Sequence, residues 1–142
     1  GEALAADLLH RLQTVTRLLD EVVGLAEAAP DLQRRKLNER LSRLLDSSTP
    51  IDGQRLAQEV ALLADRMDVS EEITRLRTHL GEFKRLCHSD GVLGRHLEFL
   101  TQEMGREVNT IGSKSQSAEV AGRVVAIKAE LERLREQIQN VE

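Results

Sequence analysis

The sequence predicts an all-α protein: an elongated helical bundle that includes a long helical hairpin and ends in a heptad-patterned C-terminal helix. Three observations carry this. Leu, Ala, Glu and Arg dominate a chain with 1% aromatic residues and neither Trp nor Tyr, a composition suited to helices joined by aliphatic seams. Apolar residues recur at three- and four-residue steps through most of the 142 residues. Pro and Gly fall mostly where that rhythm breaks, and so mark turns.

Between Ala3 and about Ala28, Leu8, Leu12, Val15, Leu19 and Val22 make one apolar helix face, and Pro30 is expected to end that helix. Asp31 can then cap a second helix whose seam is Leu37, Leu41 and Leu44 and whose other faces are basic through Arg34, Arg35, Lys36, Arg40 and Arg43. The two would form a hairpin arm over residues 1–50, followed by a helical domain over 51–142. Ser47 to Pro50 reads as a loop, and Asp52 as the cap of a third helix through Leu56, Val60, Leu63 and Met67. Ser70 is the expected cap of a fourth, through Ile73, Leu76, Leu80, Phe83 and Cys87, which Ser89-Asp90-Gly91 closes. A fifth passes through Leu93, Leu97, Leu100, Met104 and Ile111 and frays near Gly112. After a loop from Ser113 to Ser117, Val120, Val124, Ile127, Leu131, Leu134, Ile138 and Val141 keep an unbroken heptad seam in a last helix, roughly 35 Å long.

A net charge of −4 excludes bulk polycation binding of nucleic acid, so any such site must be local. Cys87 has no partner for an internal disulfide and reads as a small buried hydrophobe in a reducing compartment. No apolar run approaches the ~20 residues that cross a bilayer. The expected setting is cytoplasmic, with no membrane partner. The chain opens at Gly1 rather than Met, which fits a processed product or a piece of a longer protein. Zinc-type Cys/His spacing, a P-loop and a dinucleotide fingerprint are all missing from the sequence.

Chemistry concentrates between Gly94 and Ser115. At 100° per residue, His96, Glu103, Glu107, Thr110 and Lys114 share one flank of the helix. Arg95, Gln102, Arg106, Asn109 and Ser113 occupy the neighbouring strip, all able to donate to phosphate or sugar oxygens. Phosphodiester cleavage uses such groups: a base for a hydroxyl or water, carboxylates for a divalent ion, and cations for charge at phosphorus. A solvated salt-bridge face explains Glu103, Arg106 and Glu107 equally well. The Asn-Thr-Ile-Gly-Ser-Lys stretch, however, spends helix propensity in a way more often found at sites than on plain surface.

A second polar group gathers Arg55, Glu59, Arg66, Asp68, Glu71, Glu72, Arg75 and His79, with Glu72, Arg75 and His79 on one helix face. A metal reading would use Asp68, Glu71 and Glu72 with His79, whereas capping of the positive helix N-terminus accounts for Asp68 and the Glu pair and is favoured. His10 and His88 read as ordinary surface residues. The run from Arg34 to Arg43 carries no aromatics for base stacking and reads as a solvated face.

Three stretches resemble the YicC/YloC family of bacterial endoribonucleases: RLAQEVALLADRMDVSEEITRLRTH from Arg55, GRHLEFLTQEMGREVNTIGSKS from Gly94 and KAELERLREQIQNVE from Lys128. With a weaker match at the N-terminus, the resemblance covers nearly the whole chain, as the C-terminal helical half of a protein about twice this length. It implies a divalent-metal-dependent endoribonuclease, using Mn²⁺ or Mg²⁺, that assembles as a hexamer. The family's polar signature falls here on Glu59, Asp68, Glu71, Glu72, Arg75 and His79, and on Arg95, Gln102, Glu103, Arg106, Glu107, Asn109, Thr110, Ser113 and Lys114. His96 stands where Lys or Arg is usual, and Gly105 where Asn is.

The resulting expectation assigns Glu72, His79, Glu103 and Glu107 to catalysis. Asp68, Glu71, Glu103 and Glu107 would hold metal, and Arg75, Arg95, Gln102, Arg106, Asn109, Ser113 and Lys114 would hold RNA. Two alternatives are a non-catalytic RNA-binding adaptor and an oligomerisation module built on the C-terminal heptads.

Overall fold

The structure, a computed structural model, describes residues 1–89 and 94–140. These form five helices and no strand: α1 (Glu2–Leu44), α2 (Gly53–Met67), α3 (Ser70–Cys87), α4 (Gly94–Lys114) and α5 (Ala118–Gln139). The turn expected at Ser89-Asp90-Gly91 and the seam residues Leu93 and Val141 fall wholly or partly outside the described residues.

One expectation fails at the start. Pro30 lies inside α1, a single helix of 43 residues and about 65 Å, so no hairpin turn occurs there. Pro lacks the N–H that would reach back to Ala26, and its ring crowds the preceding turn. Packing on either side outweighs that penalty. Leu8, Leu12, Val15, Leu18, Leu19 and Val22 are buried in the core, and beyond Pro30 the half-buried Leu37 and Leu41 face a helical partner. Asp31 caps nothing: its carboxylate takes Arg34 Nη2 at 2.8 Å and Arg35 Nη2 at 2.7 Å.

The real hairpin has α1 as one limb and α2 with α3 as the other. At the turn, Asp46 Oδ1 accepts from the Ser48 backbone N–H and from the hydroxyls of Ser48 and Thr49. Asp52 caps α2 as expected, accepting from the N–H groups of Gln54 at 3.1 Å and Arg55 at 3.2 Å. α2 packs on α1, with Leu56, Val60 and Leu63 half-buried and Met67 buried. The break into α3 is short, and Ser70 is the first helical residue rather than the cap: Val69 holds the N-cap position without a side-chain cap, and Asp68 Oδ1 before it accepts from the Ser70 N–H at 2.9 Å and from the Ser70 hydroxyl. Residues 1–22 are therefore part of the main core and not of a separate arm. Only the later part of α1 with α2 stands apart from it.

The N-terminal half of α1 joins α3, α4 and α5 in a four-helix bundle, with α1 against α5 and α3, and α4 against α3 and α5. Contacts across neighbours run antiparallel: Arg11 to Glu130 and Glu21 to Arg123 between α1 and α5, and Arg75 to Glu107 and Glu82 to His96 between α3 and α4. The core holds Leu19, Leu76, Phe83, Leu100, Met104, Val108, Ile127 and Leu134, all nearly sealed from water. The heptad seam of α5 is buried at every described position from Val120 to Ile138. α4 runs unfrayed past Gly112, where a Cβ would lie 3.2 Å from Val124 Cγ1, so glycine there permits close approach of α4 and α5. Ser117 caps α5 through the Val120 N–H at 3.2 Å.

Because Pro30 interrupts an otherwise continuous helix, Pro30→Ala is expected to stabilise the protein by up to ~3 kcal/mol. The readout is thermal unfolding followed by far-UV circular dichroism. An unchanged or lowered midpoint would mean that the chain does turn at Pro30.

Candidate functional site

The polar flank of α4 read from the sequence faces α3, and the two polar groups become one seam. Lys114 Nζ donates to Glu72 Oε1 at 2.8 Å and to the Asp68 carbonyl at 3.2 Å. One turn on, Arg75 Nε donates to Glu107 Oε1 at 2.9 Å, Arg75 Nη1 reaches Glu71 Oε2 at 3.3 Å, and Nη2 lies 3.8 Å from Glu72 Oε1. At the far end His96 Nε2 lies 3.2 Å from Glu82 Oε1. Helical spacing makes this possible, since Glu72, Arg75 and His79 on α3 and Glu103, Glu107 and Lys114 on α4 each project from one side of their helix.

Burial separates the carboxylates. The Glu72 side chain is 5% exposed, Glu107 12% and Glu103 25%. Burial by itself pushes the Glu72 carboxyl up, but the hydrogen bond from Lys114, with a backbone hydrogen bond and the charges of Lys114 and Arg75, holds it below the ordinary glutamate range. Asp68 is likewise held low by the Ser70 hydroxyl and N–H, and Arg75 is raised by its hydrogen bonds to Glu107 and Glu71. Two buried polar atoms in the seam have no partner among the described residues: Glu72 Oε2 and His79 Nδ1. Such orphans are rare in folded proteins and concentrate where a ligand, a water or a proton is handled.

The expected metal set does not assemble. Asp68 is spent on Ser70, Glu71 and Glu107 both hold Arg75, and Glu103 stands apart with Arg106 Nη1 at 3.7 Å. Among the described residues no three His, Cys, Asp or Glu side chains group as metal ligands. Among the described residues the four carboxylates are thus held by other partners rather than grouped as ligands. Arg55, Glu59 and Arg66 sit exposed on α2, outside the seam contacts.

Arg95, Gln102, Arg106, Asn109 and Ser113 lie on the outward side of α4, all exposed. The basic residues from Arg34 to Arg43 are exposed too, with Arg34 and Arg35 tied to Asp31. Cys87 is half-buried, and burial raises its thiol. His10 and His88 are exposed. Missed by sequence reasoning were Glu82, the partner of His96, and a polar strip on α5 at Lys128, Glu132 and Arg135 that meets α4 in a groove. Their four- and three-residue spacing was visible, but the apolar seam of the same helix dominated the pattern.

The depressed carboxyl of Glu72 has a pH consequence. A group held below its unfolded value contributes stability that is fully present above that value, 4.5 for glutamate, and is lost as pH falls through the folded one. Glu72→Gln is expected to lower stability by about 1.5–3 kcal/mol at neutral pH. It should also flatten the loss of stability below pH 4.5, measured by urea unfolding from pH 3 to 7. An acid limb as steep as in the unmodified chain would show that Glu72 is not the group titrating.

With this geometry in place, the family model for "Endoribonuclease YicC-like, C-terminal" matches residues 22–142. Over all 142 residues the chain is 44% identical to "Probable endoribonuclease YicC" of Clostridioides difficile (strain 630), and 39% identical to the protein of that name from Haemophilus influenzae (strain ATCC 51907 / DSM 11121 / KW20 / Rd). It spans 48% of the length of each. Among the described residues no helix is long and apolar enough to cross a membrane. Membership of the family follows from the matched span: this chain belongs to the endoribonuclease YicC-like family and corresponds to its C-terminal part.

Proposed function

We propose that this chain is the C-terminal part of an endoribonuclease that hydrolyses phosphodiester bonds in RNA in the cytoplasm, with the α3–α4 seam as its catalytic face. The observation that supports it best is the pairing of half-exposed cations with a buried, incompletely satisfied acid–base group in one antiparallel seam. Arg75 and Lys114 are 48% and 37% exposed, so each can turn part of its charge toward a phosphate while a carboxylate holds it in place. Glu72 and Glu107 are the holders. Glu103, more exposed than Glu72 and Glu107 and only loosely paired, and His79, with its unpartnered Nδ1, are the groups for proton transfer. Arg95, Arg106 and the amides of Gln102 and Asn109 extend the phosphate-binding face along α4. Membership of a family whose relatives bear the name "Probable endoribonuclease YicC" supports the same reading.

The test is cleavage of a labelled RNA oligonucleotide by the purified chain and by Glu103→Gln, with Mn²⁺, Mg²⁺ or EDTA. Loss of roughly 10²–10⁴-fold in rate is expected for the variant, with its thermal midpoint unchanged. Full activity in Glu103→Gln would remove the assignment. RNA bound but never cut, in any ion, would favour a non-catalytic adaptor. Loss of activity in EDTA would mean that metal ligands come from outside this chain's seam.

Self-association is proposed to run through the arm made by the later part of α1 and α2. A two-helix arm cannot bury its own apolar stripe, and it leaves Leu32, Leu44 and Leu62 exposed at 44%, 73% and 52%. Leu44→Glu with Leu62→Glu is expected to reduce the mass measured by light scattering toward that of one chain. A monomeric unmodified chain would remove the hexamer expectation for this part of the protein.

A further inference from the structure

On the side of α4 away from the catalytic seam lies an open groove of about 200 Å³ between α4 and α5. Its floor is apolar in effect. Leu131 and Thr101 are each 5% exposed, and the Thr101 hydroxyl is already used, donating to the Leu97 carbonyl at 2.8 Å. The rim is polar. Gln102 and Asn109 line it from α4 with exposed amides that have no side-chain partner among the described residues.

From α5, Glu132 clamps Arg135, with Arg135 Nη2 at 2.5 Å from Oε1, and this neutralises that end. Lys128 is left as the rim cation without an ion pair among the described residues. An apolar floor, two amides and one unspent cation match a single nucleotide: a flat base, its hydrogen-bonding edge and one phosphate.

Gly105 supplies the opening. Glycine is disfavoured inside a helix, and no packing requires it here, because a Cβ at Gly105 would meet nothing within 4 Å. The space over it is the groove itself. Outside the groove, six residues before Gly105, Phe99 is 53% exposed between Arg95 and Gln102. An exposed aromatic within a cationic and amide row is the surface on which single-stranded nucleic acid stacks its bases.

We propose that the α4–α5 groove is a nucleobase subsite, separate from the catalytic seam, that seats one unpaired base of a single-stranded RNA over Gly105. Gln102 and Asn109 read the base edge, and Lys128 takes the adjoining phosphate. This rests on the RNA reading of the seam, and its consequence is a preference for strand over duplex, because paired bases cannot enter the groove.

The experiment is fluorescence anisotropy in EDTA with a labelled single-stranded oligoadenylate RNA and with an RNA duplex of the same length. The proteins are the unmodified chain, Gly105→Met, Gln102→Ala and Lys128→Ala. Gly105→Met fills the groove without disturbing a packed neighbour and raises helix propensity, so its melting temperature should not fall. It is expected to weaken single-strand binding by about 10-fold or more while duplex binding changes little. Gln102→Ala should weaken strand binding in the same direction, and Lys128→Ala should lower the salt dependence by about one phosphate contact. Strand affinity unchanged in Gly105→Met, or strand and duplex weakened alike, would overturn the subsite and leave the seam's role standing. No binding of either RNA by the unmodified chain would overturn the RNA reading together with the subsite.

Discussion

The apolar seam of α5 is the constraint on which the remaining geometry depends. Val120, Val124, Ile127, Leu131, Leu134 and Ile138 are buried against α1 on one side and α4 on the other, so one stripe fixes two helices at once. With so few aromatics, aliphatic interdigitation has to supply nearly all of the packing. Gly112 shows how close that packing is: an added Cβ would press on Val124, a β-branched residue with little rotamer freedom in a helix. Once α4 is held by α5, its polar flank has only α3 to face. The seam of Glu72, Arg75, Glu107 and Lys114 is then a consequence of where the apolar residues sit.

That seam is costly unless nearly complete. A carboxylate as buried as Glu72 survives ionised because Lys114 donates to it and Arg75 stands close. The arrangement then leaves Oε2 of Glu72 and Nδ1 of His79 unsatisfied, as are Arg11 Nε and Gln137 Oε1 on α1 and α5. Burial is what distinguishes this face from the exposed ion pairs of Asp31 with Arg34 and Arg35, which contribute little.

Much of this was legible in the sequence, and the exceptions have physical causes. Helical periodicity located the core of every helix, because burial on one side of a 3.6-residue repeat leaves a direct record: Leu8, Leu12, Val15, Leu19 and Val22 are all sealed. The same arithmetic put Glu103, Glu107 and Lys114 on one flank and Arg95, Gln102 and Arg106 on the next. Pro30 misled because its local penalty is real but smaller than the packing on either side of it. Sequence shows only the penalty. Asp68 and Ser70 were both cap candidates, but which oxygen reaches which N–H depends on backbone angles at the α2–α3 break. The ion pairs of the seam were not legible for a related reason: charge and helix face can be read from spacing, whereas the partner that neutralises a carboxylate, here Arg75 for both Glu71 and Glu107, belongs to tertiary register.

The cations show how one acidic chain can still present a phosphate-binding surface. Net charge is −4, and most Arg side chains in the bundle are committed to a carboxylate: Arg11 to Glu130, Arg77 to Asp20, Arg123 to Glu21 and Arg135 to Glu132. Among the less committed are several along or beside α4. Arg106 is 79% exposed with its carboxylate at 3.7 Å, and Arg95 and Lys128 have no ion pair among the described residues. α4 thus divides its surface three ways, with Met104 and Val108 in the core, Glu107 and Lys114 against α3, and Arg95 and Arg106 toward solvent. Among the described residues an anion approaching the bundle meets paired charge over much of its surface and unpaired cations at Lys84, Arg95 and Lys128, with a further set at Lys36, Arg40, Arg43, Arg55 and Arg66 on the arm. At physiological ionic strength, where fields beyond about 8 Å are screened, that local excess and not the net charge decides where a polyanion settles.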